Sequence, residues 1–435
     1  QLIEAAAISL VKGVMKNLGI AADGFTINSR AAGIVPKAYL ASRDPSLLAE
    51  ARKAISNADI LLFGGAPLFN YKYQQFYLRT IITLELAQQY GVPVLFSSIG
   101  VEPFDETNEK SLALRTALEL PCVRQITTRD DLASVERYVE NTGIPIAHVS
   151  DPAVFANLVF GVDDGPREGR TIGLVVTREG IFKDNGISFS ASEQRRFWLD
   201  VIDELTARGY DYTLFTTGHF SDEVFLDAMV KAKRIPAGKV VVTVNSPEEL
   251  NAALGACAGV IAFRLHASIA SFSYGIPSVG LSWNFKVPYF YESVGHGDRA
   301  LDHTRWTAAE VVPALERAMV EGVRKDEAFL MTVYETLFNG FKSIVAPDSD
   351  KAPYTYDELR AQLPRYGGTT EAALAEKVRR KLRRTYESYY KLSIRAAKKA
   401  EQPKPPSSGL RKAVSKALPK PVKQGLRKAL GRASR

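Results

Sequence analysis

The chain has 435 residues, 46% hydrophobic and 24% charged, the balance of a globular protein of two or three domains rather than a disordered, collagen-like or coiled-coil one. No apolar run approaches the ~18–20 residues that cross a bilayer, and two cysteines, Cys122 and Cys257, build no disulfide framework, which suits a reducing compartment. The net charge of +8 is uneven: residues 371–435 hold 20 Lys and Arg against 4 Asp and Glu, net +16, so the rest of the chain is mildly acidic at −8.

The chain opens on Gln1 without the basic and apolar segments of a signal peptide, and it is expected to begin inside a longer sequence. Ala58–Phe63 reads as a strand ending in Gly64–Gly65, and Leu84–Tyr90 as helix. Strands follow at Val94–Ser97, Val123–Thr127 and Ile146–Val149, the last closing on Ser150–Asp151–Pro152. This strand–helix alternation predicts a parallel sheet covered on both faces.

Residues 161–169, with three glycines, one proline and four charges, read as a boundary. The pattern then restarts. Strands are expected at Thr171–Val176, Tyr212–Thr216, Lys239–Val242, Gly259–Phe263 and Ser278–Leu281. Helices are expected at Glu193–Arg208, Asp222–Ala232 and His266–Tyr274, with Ser246 capping another and Thr307–Met319 and Lys325–Phe341 closing the body. The expected organisation is thus an α/β domain over 1–160, a second over 170–345 and a basic helical tail over 371–435, with the site in the cleft between two Rossmann-like halves. Within the tail, a charged helix from Glu371 to about Lys399 leads into a proline-rich linker, 402–409. A stripe of Leu410, Val414, Leu418, Val422, Leu426 and Leu430 follows.

The densest chemical signal is Ile261–Ala262–Phe263–Arg264–Leu265–His266–Ala267. Arg264 and His266 arrive at the carboxyl end of a strand where a helix begins, which is where open α/β sheets bind ligands and where backbone N–H groups attract anions. An arginine offers a planar fork to carboxylate or phosphate, and a histidine moves protons near neutral pH. Arg129, in Thr127–Thr128–Arg129–Asp130–Asp131, stands at another strand end. Gly64–Gly65 permits close backbone approach, although the pair also suits a plain turn. Lys286, in Ser282–Trp283–Asn284–Phe285–Lys286–Val287, adds a cation. His148, His219, His296 and His303 are spaced as no metal set, and no phosphate-binding loop or serine elbow occurs.

Three blocks carry a family resemblance. Arg264–Leu265–His266–Ala267 through Gly275–Ile276–Pro277 and Asn284–Phe285–Lys286–Val287 resembles the C-terminal signature of the polysaccharide pyruvyl transferases. Asp59–Ile60–Leu61–Leu62–Phe63–Gly64–Gly65 and Arg129–Asp130–Asp131–Leu132 are similar to that family's N-terminal blocks, and Gln1–Leu2–Ile3–Glu4 to the start of its first helix. The family's opening strand would lie just before Gln1. The resemblance covers roughly residues 1–340 and leaves the tail outside.

It implies a fold like the two-domain GT-B glycosyltransferases and a bacterial enzyme of exopolysaccharide or cell-wall polysaccharide synthesis. It implies pyruvyl transfer from phosphoenolpyruvate to two hydroxyls of a sugar acceptor, free or lipid-linked, giving a ketal. Arg264 and His266 match the family's donor-binding pair and Arg129 its N-terminal arginine. The chemistry of the donor agrees. A carboxylate and a phosphate on three carbons call for at least two cations, here Arg129 and Arg264 from opposite halves, with Gly64, Gly65 and Lys286 beside them. His266 as imidazolium is a proton donor to the enol carbon. No metal or cofactor is called for. Two other readings stand beside this one: a GT-B glycosyltransferase using a nucleotide sugar, and a non-catalytic membrane-surface scaffold. The tail is expected to hold the protein to an anionic membrane at the inner, cytoplasmic face, and nucleic acid is not an expected partner.

Overall fold

Strands form where the sequence runs continuously apolar, because both faces of each sheet are covered. In the computed structural model, which describes residues 2–30, 33–72, 76–165, 167–232 and 235–401, nine strands make two parallel sheets. The first contains β1 (Leu61–Gly64), β2 (Val94–Ile99), β3 (Val123–Thr128) and β4 (Ile146–His148), side by side in chain order. Every residue of β2 is buried. The second contains β5 (Thr171–Val175), β6 (Asp211–Phe215), β7 (Gly259–Ala262), β8 (Ser278–Ser282) and β9 (Ala300–Asp302), ordered β6-β5-β7-β8-β9. Strand order therefore reverses between β5 and β7, which makes the carboxyl end of β7 the switch point of this sheet.

Helix starts follow local chemistry. The Ser246 hydroxyl accepts from the Glu249 N–H, as its position before Pro247–Glu248–Glu249 predicts, and Ser190 and Glu193 cap each other reciprocally. One expected strand is corrected. Lys239–Val242 makes a 3-10 turn, Ala237–Lys239, and then a single bridge from Val240 to Leu214. Val242 faces solvent, so this run lacks the two covered faces that a parallel strand requires.

The two halves share a core. The helix Leu2–Asn17 lies against the helix Glu327–Val345 and the turn Pro152–Phe155, and the helix Leu265–Ser273 packs on that same turn. Leu95 and Val149 of the first half join one apolar cluster with Ile269, Phe272, Val287 and Phe290 of the second. The helix Glu327–Val345 falls inside the expected 170–345 segment, yet it crosses back to pack on β2 and β3. It buries Leu330, Tyr334, Leu337, Phe338 and Phe341. Each such side chain contributes ~1.5–3 kcal/mol when withdrawn from water.

By contacts the chain divides into two units, 1–374 and 375–435. The second contains most of the helix Glu371–Glu401, with ion pairs such as Arg379–Glu376 at 2.9 Å and Arg383–Glu387 at 3.1 Å. The expected linker 402–409 and the 410–430 stripe lie outside the described residues. Among the described residues no helix is long and apolar enough to cross a membrane.

Candidate active site

The carboxyl ends of β3, β4 and β7 supply the charged groups that meet between the halves. Arg129 follows β3, and its backbone N–H donates to the Ile99 carbonyl. Its guanidinium is buried, with Nη1 donating to the Asp151 carboxylate. Asp151 follows β4, and its other oxygen accepts from the Ala153 N–H at 2.9 Å, so one buried carboxylate caps a turn and holds the arginine. Asp130 is buried beside them, and its Oδ2 accepts from the Val101 N–H at 3.0 Å. That approach depends on Gly100, where a Cβ would stand 2.9 Å from the Pro67 backbone and 3.1 Å from Asp130 Oδ2.

From the second half, Arg264 occupies the N-cap position of the helix Leu265–Ser273 at the switch point, and His266 stands in the first turn of that helix. Lys286 opens the helix Lys286–Ser293, its N–H donating to Asn284 Oδ1 at 3.2 Å. Arg129, Asp130 and Asp151 face Leu265, Lys286 and Phe290 across a cavity of about 10 Å3, room for about one water molecule. A larger recess of about 500 Å3, lined by Arg115, Glu119 and Glu140, opens at the amino end of β3, the end of a parallel sheet that does not carry ligands.

Three buried polar atoms here lack a hydrogen-bond partner among the described residues: Arg129 Nε, His266 Nε2 and Ser150 Oγ. Such atoms are rare in folded proteins and commonly mark a place for a polar ligand or water. The charges are unusual as well. Burial, with Arg129 nearby, pulls the Lys286 ammonium down to about 8, against the opposing pull of Asp130 and Glu102. Burial pushes the Asp130 carboxyl up, with Arg129 and Lys286 opposing. Burial pulls the His266 imidazole down to about 3, reinforced by Arg129, Lys286 and Arg264.

The structure brings Arg129, His266 and Lys286 together and changes what the others do. Arg264 donates from Nε to Asp222 Oδ2 at 2.7 Å and from Nη2 to Asp222 Oδ1 at 2.6 Å, so its fork is spent on a fully buried carboxylate rather than open to a donor. Burial and the nearby Arg129, Lys286 and Arg264 cations disfavour the positive ring, so the imidazolium expected of His266 is opposed by its surroundings in the free protein. Gly65, at φ +59°, lies under the Ile3 side chain, and a Cβ on Gly64 would stand 3.4 Å from the Ala7 Cβ. Both glycines thus stand against the helix Leu2–Asn17. Sequence reading passed over Asp222 and Asp151 as partners. Asp151 precedes a proline after a strand, which signals a cap, but nothing local pairs it with Arg129. Asp222 is 42 residues from Arg264, and only the fold joins them.

The polysaccharide pyruvyl transferase model matches residues 20–284 of the chain. No match is found among curated proteins. Among solved structures, the chain is similar to the UDP-GlcNAc 2-epimerase from Methanocaldococcus jannaschii, at 11% identity and a TM-score of 0.50, covering 76% of this chain and 95% of that one. It is similar also to a protein of Listeria monocytogenes described as a UDP-N-acetylglucosamine 2-epimerase, at 10% identity and a TM-score of 0.50, covering 81% and 96%. At such identities the likeness shows the fold alone, a GT-B-like pair of α/β halves.

Proposed function

The chain belongs to the polysaccharide pyruvyl transferase family, and from that premise we propose that it transfers the pyruvyl group of phosphoenolpyruvate to two hydroxyls of one sugar, in a polysaccharide or its lipid-linked precursor. The observation that carries this reading is the meeting of Arg129 from one half with His266 and Lys286 from the other, around unpartnered buried polar atoms at the switch point. A donor with two anionic groups fits a site whose cations come from two walls.

The donor is larger than one water, so the side chains lining the cavity rearrange to admit it. Arg129 and Lys286 take its phosphate and carboxylate, while Arg264 holds Asp222 and fixes the start of the His266 helix. The negative charge of the donor raises the His266 pKa, so the ring gains its proton when the donor binds. That proton passes to the methylene carbon, making a methyl group and a cationic C2. A sugar hydroxyl attacks C2 and gives its proton to the now neutral imidazole. The C2–O bond to phosphorus breaks, the second hydroxyl adds to C2, and its proton leaves with inorganic phosphate. One ketal and one phosphate form from one donor and one diol, with no net oxidation.

Incubation with phosphoenolpyruvate and candidate sugar acceptors tests this directly. Phosphate release that depends on the acceptor, with pyruvate retained on the sugar by mass spectrometry, is the expected result. If phosphoenolpyruvate leaves the melting temperature unchanged while a nucleotide sugar raises it, the glycosyltransferase reading replaces this one.

A further inference from the structure

The helix Glu371–Glu401 carries a surface that the chemistry above does not use. At 3.6 residues per turn, Val378, Leu382, Tyr386, Tyr389 and Leu392 fall within one arc of about 120°. Leu382 is 64%, Tyr386 71%, Tyr389 69% and Leu392 62% exposed. Arg380, Arg383, Arg384, Lys391 and Arg395 fall on the opposite arc. Over its length the helix has 10 Lys and Arg against 4 Glu. Isolated exposed apolar residues are ordinary, but a continuous arc of them along one helix is not.

We propose that this arc, with Leu382 and Tyr389 at its centre, is an interfacial anchor that lies in an anionic lipid surface, the cations of the opposite arc drawing the helix to the headgroups. Leucine with tyrosine on one face and Lys and Arg on the other is the pattern of helices that lie in the interface plane. Tyrosine places an apolar ring in the acyl boundary and a hydroxyl among the headgroups.

Two other occupants fit less well. A second copy paired as a coiled coil would put Thr385 at a core position of the seam running through Leu382, Tyr389 and Leu392, and would set two helices of net positive charge side by side. Single-stranded nucleic acid is gripped by rings and cations on one face, whereas here Tyr386 and Tyr389 face away from Arg380, Arg384, Lys391 and Arg395, with Arg379, Lys381 and Tyr390 at the borders of the two arcs.

The inference stands apart from the catalytic reading, and its test uses the full chain. Co-sedimentation with phosphatidylcholine vesicles containing phosphatidylglycerol, at low salt, is compared with pure phosphatidylcholine. Binding to the anionic vesicles alone is expected, weakening as salt rises. The pair Leu382→Gln with Tyr389→Gln keeps both charge and helix propensity. It should lower partition at least tenfold, while Leu382→Phe with Tyr389→Phe retains it. Phosphate release by the Gln pair on a soluble acceptor should stay within twofold of the parent. A parent that stays in the supernatant overturns the proposal, as does a Gln pair that binds like the parent. It is overturned equally by a dimer in sedimentation velocity, or a complex with a single-stranded oligonucleotide, that the Gln pair abolishes.

Discussion

The Arg264 guanidinium is forked onto the buried Asp222 carboxylate, at 2.7 and 2.6 Å. The same carboxylate accepts from the Arg178 N–H at 2.9 Å, so it ties the ends of β5 and β7 to the helix Phe220–Lys231. A lysine keeps the charge but cannot span both oxygens. Arg264→Lys should therefore lower stability by about 1–3 kcal/mol, read as a fall in Tm, with a smaller effect on the Michaelis constant for phosphoenolpyruvate. An unchanged Tm with a raised Michaelis constant would return Arg264 to direct donor contact.

His266→Gln should reduce turnover on the order of 10²–10⁴-fold, the usual range for a group that moves a proton. It should also change the acid side of the stability curve. In the folded protein burial holds the imidazole down to about 3, from 6.5. Between those values the unfolded chain binds a proton that the folded chain does not, so stability falls as pH drops below 6.5. The variant lacks this contribution, and its Tm should fall less than the parent's between pH 7 and pH 5.

Lys286, pulled down to about 8 by burial and Arg129, should give up its proton within the working range of an assay. An ammonium that holds a donor anion is lost as pH rises through that value, so kcat/KM for phosphoenolpyruvate should decline above about pH 8. Lys286→Arg carries a guanidinium that stays charged there. Its profile should run flat across the same range, whatever its absolute rate. A parent profile that is flat to pH 9.5 would place the donor's anionic groups elsewhere.

Gly65→Ala tests a position that the sequence offers as a ligand loop. At φ +59° any side chain is strained, and the new Cβ would press into Ile3. A loss of about 1–3 kcal/mol in unfolding free energy is expected, with the Michaelis constant for phosphoenolpyruvate within twofold of the parent. A large rise in that constant at unchanged stability would show that the glycine serves the donor after all.

Much of this protein is fixed by local sequence. The apolar runs that became β2, β3, β5 and β7 are legible because a strand covered on both faces must be apolar throughout. The Ser246 cap is legible because a hydroxyl three residues before Glu249 meets a free N–H whatever the fold. Arg129, Arg264, His266 and Lys286 are legible as candidates because each follows a strand end, a position set by neighbours in the chain. Their roles are not local. Whether Arg264 meets a donor or Asp222, whether His266 carries a charge, and whether Gly65 touches a ligand or Ile3 depend on residues tens to hundreds of positions away. Burial and the sum of nearby charges exist only after the carboxyl ends of β3 and β7 have been brought near each other. The same holds for the helix Glu327–Val345. Its apolar face is plain in the sequence, but its packing on β2 and β3 rather than on the nearer sheet is decided by which apolar surface remains uncovered once both sheets have formed.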